Sequence, residues 1–395
     1  MRTGQNPESG DPAAGAARAS RPPIKKRTAR RDSHPSRSRD PKLDALRAIG
    51  IVLVVVWHYQ PLLFTSGNPQ NSISQVPANV VEALYRQITL IAVPLLFIVA
   101  LYLLYANLAE RPGYIRRRVR RLGALYLFWT FVQFAVWIAV GVLGNVTQTS
   151  ELALPGSIGI RLLVMGGPSL PLVGEAVFYF LFNLVILSAL AFAFNKMPER
   201  IRMPLAVALT LLSIAYFELC NLRSIYVPYW RIDNFLVYVP VAYMLKNSHL
   251  LYRLRYFILG GFIVFSIHDI LLTHSIVLQT PILFQTYGRV SAVLGALAAF
   301  CITYSHYTGV SSRSVRFLSR HSLGIYATHK YMLLSWYVIG VIFLDIFGLL
   351  AIPRVVFVHD VGLNIWMLVS GLVGAAATLI LVGIVGRTPL RRFVT

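Results

Sequence analysis

Apolar residues in this chain fall into long, nearly unbroken runs, not the alternation of a half-buried strand or the three-four spacing of a surface helix. Ten runs can be drawn, at about residues 43–64, 88–107, 122–143, 174–195, 204–220, 229–245, 256–274, 288–306, 323–347 and 363–386. Each is roughly long enough for a helix, rising ~1.5 Å per residue, to cross a ~30 Å hydrocarbon layer. The pattern predicts an all-α polytopic membrane protein, a bundle of about ten transmembrane helices. The fifth, sixth and seventh runs are the weakest, being short or broken by polar residues.

Composition narrows the class. Of 395 residues 56% are hydrophobic and 13% charged, and the mean hydropathy is +0.63. A soluble core of ordinary size does not absorb that much apolar surface, so a soluble enzyme, a secreted disulfide scaffold and a mainly disordered chain are excluded. The two cysteines, Cys220 and Cys301, sit inside apolar runs with no CxxC spacing, so neither a zinc site nor a disulfide framework is expected.

The net charge of +22 changes the picture through its placement. Residues 1–42 hold eleven Lys or Arg among Pro, Ser, Gly and Ala and almost nothing apolar, so they read as a disordered basic tail. Its expected partner is anionic membrane lipid, not nucleic acid. The tail, the 108–121 loop, the loops near 200, 250 and 315, and the residues after 386 together hold 29 of the 37 basic residues. All of these lie on one side of a ten-span chain, so both termini are expected in the cytoplasm and the protein in the cell (inner) membrane. The organisation is thus a tail (1–42), a transmembrane domain (43–386) and a short basic cytoplasmic C-terminus (387–395).

Ionisable side chains inside spans are costly and mark candidate chemistry. In the first run Arg47 and His58 are eleven residues apart, three helical turns plus about 20°, so they share one face with about 16 Å between them. Asp44 is one turn before Arg47 and in position to pair with it. The loop before the third run carries Arg116, Arg117, Arg118, Arg120 and Arg121, a density that suits bidentate phosphate binding. The fourth run opens with Glu175, Phe178 and Tyr179. Glu175 falls at the outer level of His58 on this topology. Arg231 with Asp233, His268 with Asp269, and Arg289 fall near the same level, some of them as structural ion pairs. In the ninth run Ser322, Tyr326 and His329 share a face near the cytoplasmic end, as a ligand stripe or a polar packing seam.

These motifs together resemble those of the acyltransferase 3 family of integral membrane acyltransferases. The resemblance rests on Leu43-Asp44-x-Leu46-Arg47 followed by His58, on Arg118-x-x-Arg121, on Glu175-x-x-Phe178-Tyr179, and on Ser322-Leu323-Gly324-Ile325-Tyr326-x-x-His329. They occur in family order across residues 43 to 385. Two positions depart from the family pattern: the Pro168-to-Pro171 stretch replaces a Trp before the Glu motif, and Ala124 replaces a Pro after the arginine step.

The resemblance implies an O-acyltransferase that moves an acyl group, such as acetyl, from cytoplasmic acyl-CoA to a hydroxyl of a glycan, a lipid-linked saccharide or another cell-surface molecule. The spacing of the cations fits that donor. Arg47, Arg118 and Arg121, with Arg117 beside them, would hold the nucleotide phosphates while the thin pantetheine arm runs toward His58. His58 is then the general base and Glu175 its orienting carboxylate; Asp44, Tyr179, Ser322, Tyr326 and His329 are further site candidates. No metal and no permanently bound cofactor is expected. A transporter or flippase for an anionic or sugar-bearing substrate would explain the intramembrane charges equally well, but not the Arg47–His58 spacing under an arginine-dense loop. A non-catalytic anchor for a polysaccharide-synthesis complex would not retain so many buried ionisable groups.

Overall fold

The computed structural model describes residues 40–59, 76–108, 112–147, 178–223, 225–273, 286–309, 312–346 and 361–395. The basic segment 1–39 and the candidate Glu175 lie outside the described residues. Among the described residues every regular element is helical: α1 (Pro41–Tyr59), α2 (Val76–Thr89), α3 (Ala92–Leu108), α4 (Tyr114–Thr147), α5 (Tyr179–Lys196), α6 (Glu199–Leu222), α7 (Tyr238–Asn247), α8 (Leu250–Arg253), α9 (Arg255–Thr273), α10 (Val290–His306), α11 (Arg313–Ile346) and α12 (Val361–Val385), with 3-10 turns at Ile232–Asn234 and Pro389–Phe393. Each of the ten apolar runs overlaps one of these helices. Among the described residues, four stretches are long and apolar enough to cross a membrane by length and composition: Ala83–Leu108, Tyr179–Lys196, Glu199–Leu222 and Arg255–Leu272.

Helix α3 is the hub. Every residue from Ala92 to Val99 is buried, as expected of a helix apolar on all sides, and it packs against α1, α5, α7 and α10. Pro94 has no N–H to return to the Leu90 carbonyl, so the chain breaks at Leu90–Ile91 and the continuous apolar stretch becomes α2 and α3. In contrast, α6 and α9 leave broad apolar faces uncovered, with Leu211, Leu212, Phe257 and Val264 all more than half exposed. Such faces suit the lipid-facing rim of a bundle.

The weak sixth run turns out to be the ten-residue α7, preceded by irregular chain. Its backbone is satisfied from within: Asn183 Nδ2 donates to the Trp230 carbonyl at 2.9 Å and Asn234 Nδ2 to the Pro228 carbonyl at 2.8 Å. Buried side-chain amides thus replace the missing helical bonds. Of the outer-level charges, Arg231 pairs with Asp233 at 2.7 Å. Arg289 pairs with Asp269 at 3.2 Å, both almost fully buried, and Gln87 accepts from Arg289 at 3.0 Å. These contacts tie α2, α9 and α10 together, a structural role. Cys220 and Cys301 are free thiols buried in the packing.

Helices α1 and α11 pack closely and run parallel. At their feet Ser319 Oγ donates to the buried Asp44 carboxylate at 2.6 Å; above, the ring of His58 meets that of His329. Asp44, one turn before Arg47, thus also bonds across to another helix. Removing a donor from a buried carboxyl costs about 1–3 kcal/mol. Ser319→Ala should accordingly lower the melting temperature of the purified protein, and Ser319→Thr should restore it. An Ala variant as stable as the parent would show that this bond does not hold the two helices in register.

Candidate active site

Helix α1 presents Leu46, Ile51 and Val54 to the core and carries His58 one turn above Val54. The His58 Nδ1 lies 2.9 Å from the Val54 carbonyl oxygen. A carbonyl only accepts, so Nδ1 carries the hydrogen and Nε2 is the basic nitrogen. His329, fully buried on α11, repeats the arrangement, with its Nδ1 at 2.8 Å from the Tyr326 carbonyl and 3.1 Å from that of Ile325. The two ring centroids are 4.6 Å apart, edge to face at 63°. The sequence puts His329 near the cytoplasmic end of its span. Instead α11 begins at Arg313, well before the apolar run starts at about 323, because its polar opening is already inside the bundle against Asp44. That offset lifts His329 to the level of His58. Ser322 is half-buried and lies seven residues before His329 on α11.

The half-buried His58 faces a cavity of about 270 Å³, whose lining includes Trp57, Tyr179, Tyr229, Tyr287 and Tyr326. Tyr179 Oη donates to Tyr287 Oη at 3.0 Å, and the Tyr326 ring lies 6.0 Å from that of His329. Phenols around an imidazole provide donors for developing negative charge and partners for a hydroxyl-bearing ligand. Tyr179 and Tyr326 were legible as candidates. Tyr229 and Tyr287 were not, because one lies in the broken sixth segment and the other just before α10. A signal that could have found them is their place two residues before an arginine within an apolar run, Arg231 and Arg289.

The cationic candidates separate. Arg47 is half-buried on α1, below His58. Arg118 turns into the bundle, donating to Ser188 Oγ at 3.2 Å, to the Ala100 carbonyl at 3.0 Å and to Tyr114 Oη at 3.5 Å, which braces α4 against α3 and α5. Arg121 is exposed and reaches the Thr395 oxygen at 2.6 Å; Arg117, also exposed, donates to the Pro112 carbonyl at 3.1 Å. Among the described residues, no group of three or more His, Cys, Asp or Glu side chains is placed to hold a metal ion.

Apolar helices around a cavity lined by His58 and several phenols define a membrane protein with an internal polar centre. The acyltransferase domain family model matches residues 40–386, so the chain belongs to the acyltransferase 3 family and is a membrane acyltransferase. No curated protein and no solved structure shows significant similarity to it.

Proposed function

We propose that this protein transfers a short acyl group from cytoplasmic acyl-CoA to a hydroxyl of a glycan, a lipid-linked saccharide or another cell-surface molecule. The observation that carries the reading is His58. Its Nδ1 is tethered to its own helix, leaving Nε2 as the basic nitrogen of a ring that lines a phenol-rich cavity, on the helix face that also carries Arg47.

In this mechanism Nε2 of His58 removes the proton of the acceptor hydroxyl as its oxygen attacks the thioester carbonyl. A new C–O bond forms, and the carbonyl electrons pass to the oxygen, where phenols of the cavity donate hydrogen bonds. Collapse breaks the C–S bond, and the imidazolium returns its proton to the departing CoA thiolate. His329 holds the His58 ring in its attacking orientation, a part that Glu175 would share. Arg121 and Arg47 take phosphates of the donor, with Arg118 bracing the helix that presents them. In this reading the chain crosses the cell membrane ten times and keeps both termini in the cytoplasm, the side that holds most of its basic residues.

Two experiments test this. Purified protein given radiolabelled acetyl-CoA and a hydroxyl acceptor should release CoA and label the acceptor; a transporter would leave the thioester untouched. Reporter fusions after residues 42, 110, 200, 250, 315 and 390 should report cytoplasm, and fusions near 70, 150 and 355 the opposite face. An inverted pattern would sink the donor route.

A further inference from the structure

The basic segment after α12, expected to be a short cytoplasmic tail, folds back as the turn Pro389–Phe393 and seats the next residues in a trough between α4 and α11. Trp129 Nε1 donates to the Phe393 carbonyl at 3.0 Å, and the Phe393 ring stacks on Phe128 with centroids 3.9 Å apart. The Gly324 amide donates to the Val394 carbonyl at 3.3 Å, and Arg121 reaches the Thr395 oxygen at 2.6 Å. Val394 is 1% exposed. Glycine is needed opposite it, since a Cβ at 324 would stand 2.7 Å from the Val394 Cβ and 2.9 Å from its carbonyl oxygen.

The trough lies below the histidines. Gly324 precedes His329 by five residues on α11, about 7.5 Å of helix, and Arg121 precedes Trp129 by eight on α4, about 12 Å. From the mouth inward the wall thus offers a guanidinium and then an indole N–H and a helix amide, beneath the imidazoles. The held object is a narrow chain of amides whose carbonyls accept from that wall. The pantetheine arm of CoA has the same chemistry: it is thin, carries two secondary amides, and ends outward in phosphates.

We infer that the trough between α4 and α11 is the channel for the pantetheine arm of the acyl donor, and that Phe393–Thr395 are its intramolecular stand-in, which the donor displaces. The inference rests on the acyl-CoA reading above. On exchange, Trp129 and the Gly324 amide pass from peptide carbonyls to pantetheine carbonyls. Arg121 passes from the single Thr395 oxygen to a phosphate, whose several oxygens accept from the guanidinium in bidentate fashion. Without donor, the tail closes the cytoplasmic approach to the histidines.

The test uses the full chain in nanodiscs with Val394→Cys, the native Cys220 and Cys301 being buried. Maleimide labelling of the new thiol should run about tenfold faster in saturating acetyl-CoA, a thioester that does not consume the reagent. An unchanged or slower rate, with acetyl-CoA shown bound by calorimetry, overturns the stand-in while sparing the donor reading. Failure of the parent protein to bind acetyl-CoA at all overturns both. Independently, Phe393→Ala should tighten apparent acetyl-CoA affinity about three- to tenfold, because a closed fraction no longer taxes binding. Unchanged or weaker affinity in a variant with the parental melting temperature would make the segment a structural strap instead.

Discussion

His58→Gln should lower acyl transfer by about 10²- to 10⁴-fold while leaving membrane insertion, melting temperature and acetyl-CoA binding close to parental. Glutamine keeps a hydrogen-bonding side chain of similar reach but has no nitrogen that accepts a proton near neutral pH. A purely structural histidine would give a different result, since an interhelical hydrogen bond in a membrane bundle is worth on average ~0.6 kcal/mol, and its loss would surface as a modest change in melting with activity largely kept. Single-turnover transfer from radiolabelled acetyl-CoA separates the two. A folded, donor-binding His58→Gln protein that retains more than about a tenth of parental transfer would remove His58 from the mechanism. The role of base would then pass to His329, whose ring stands 4.6 Å away.

Arg121→Gln should weaken acetyl-CoA binding by more than about tenfold, since a charge-assisted hydrogen bond to phosphate contributes about 1.5–3 kcal/mol. The same substitution also releases the Thr395 oxygen, which works in the opposite direction. The net effect remains a loss because the Thr395 contact is a single hydrogen bond at an exposed site, whereas a guanidinium pairs with a phosphate in bidentate fashion. Titration calorimetry with acetyl-CoA and with 3′-dephospho-CoA checks the assignment: if Arg121 takes the 3′-phosphate, the parent discriminates between the two and the variant discriminates less. Unchanged affinity in a normally inserted variant would leave Arg121 as a topological anchor and move the donor phosphates to Arg47 and Arg117.

Much of the architecture was readable before any coordinates. Each apolar run overlaps a helix because a lipid-facing or fully buried helix needs no polar face, so its hydrophobicity is continuous, although α4 and α11 start in polar sequence ahead of their runs. The family followed from four short motifs in order, and the match over residues 40–386 agrees. The sixth run was legible as weak but not as a half helix, because the stabilising groups, Asn183 above all, come from elsewhere in the chain.

What the sequence alone determined was the class of protein and the face of α1 that carries Arg47 and His58, since both follow from composition and from the 3.6-residue period within one helix. What only the tertiary structure decided was which helices meet and at what height. Asp44 binds Ser319, 275 residues away; His58 meets His329 through the register of α11; Arg118 is turned inward; and the C-terminal residues return beneath the histidines instead of trailing into solvent. Each depends on packing between segments distant along the chain. Local periodicity can place a residue on a face, but only the packing of that face against another fixes its partner.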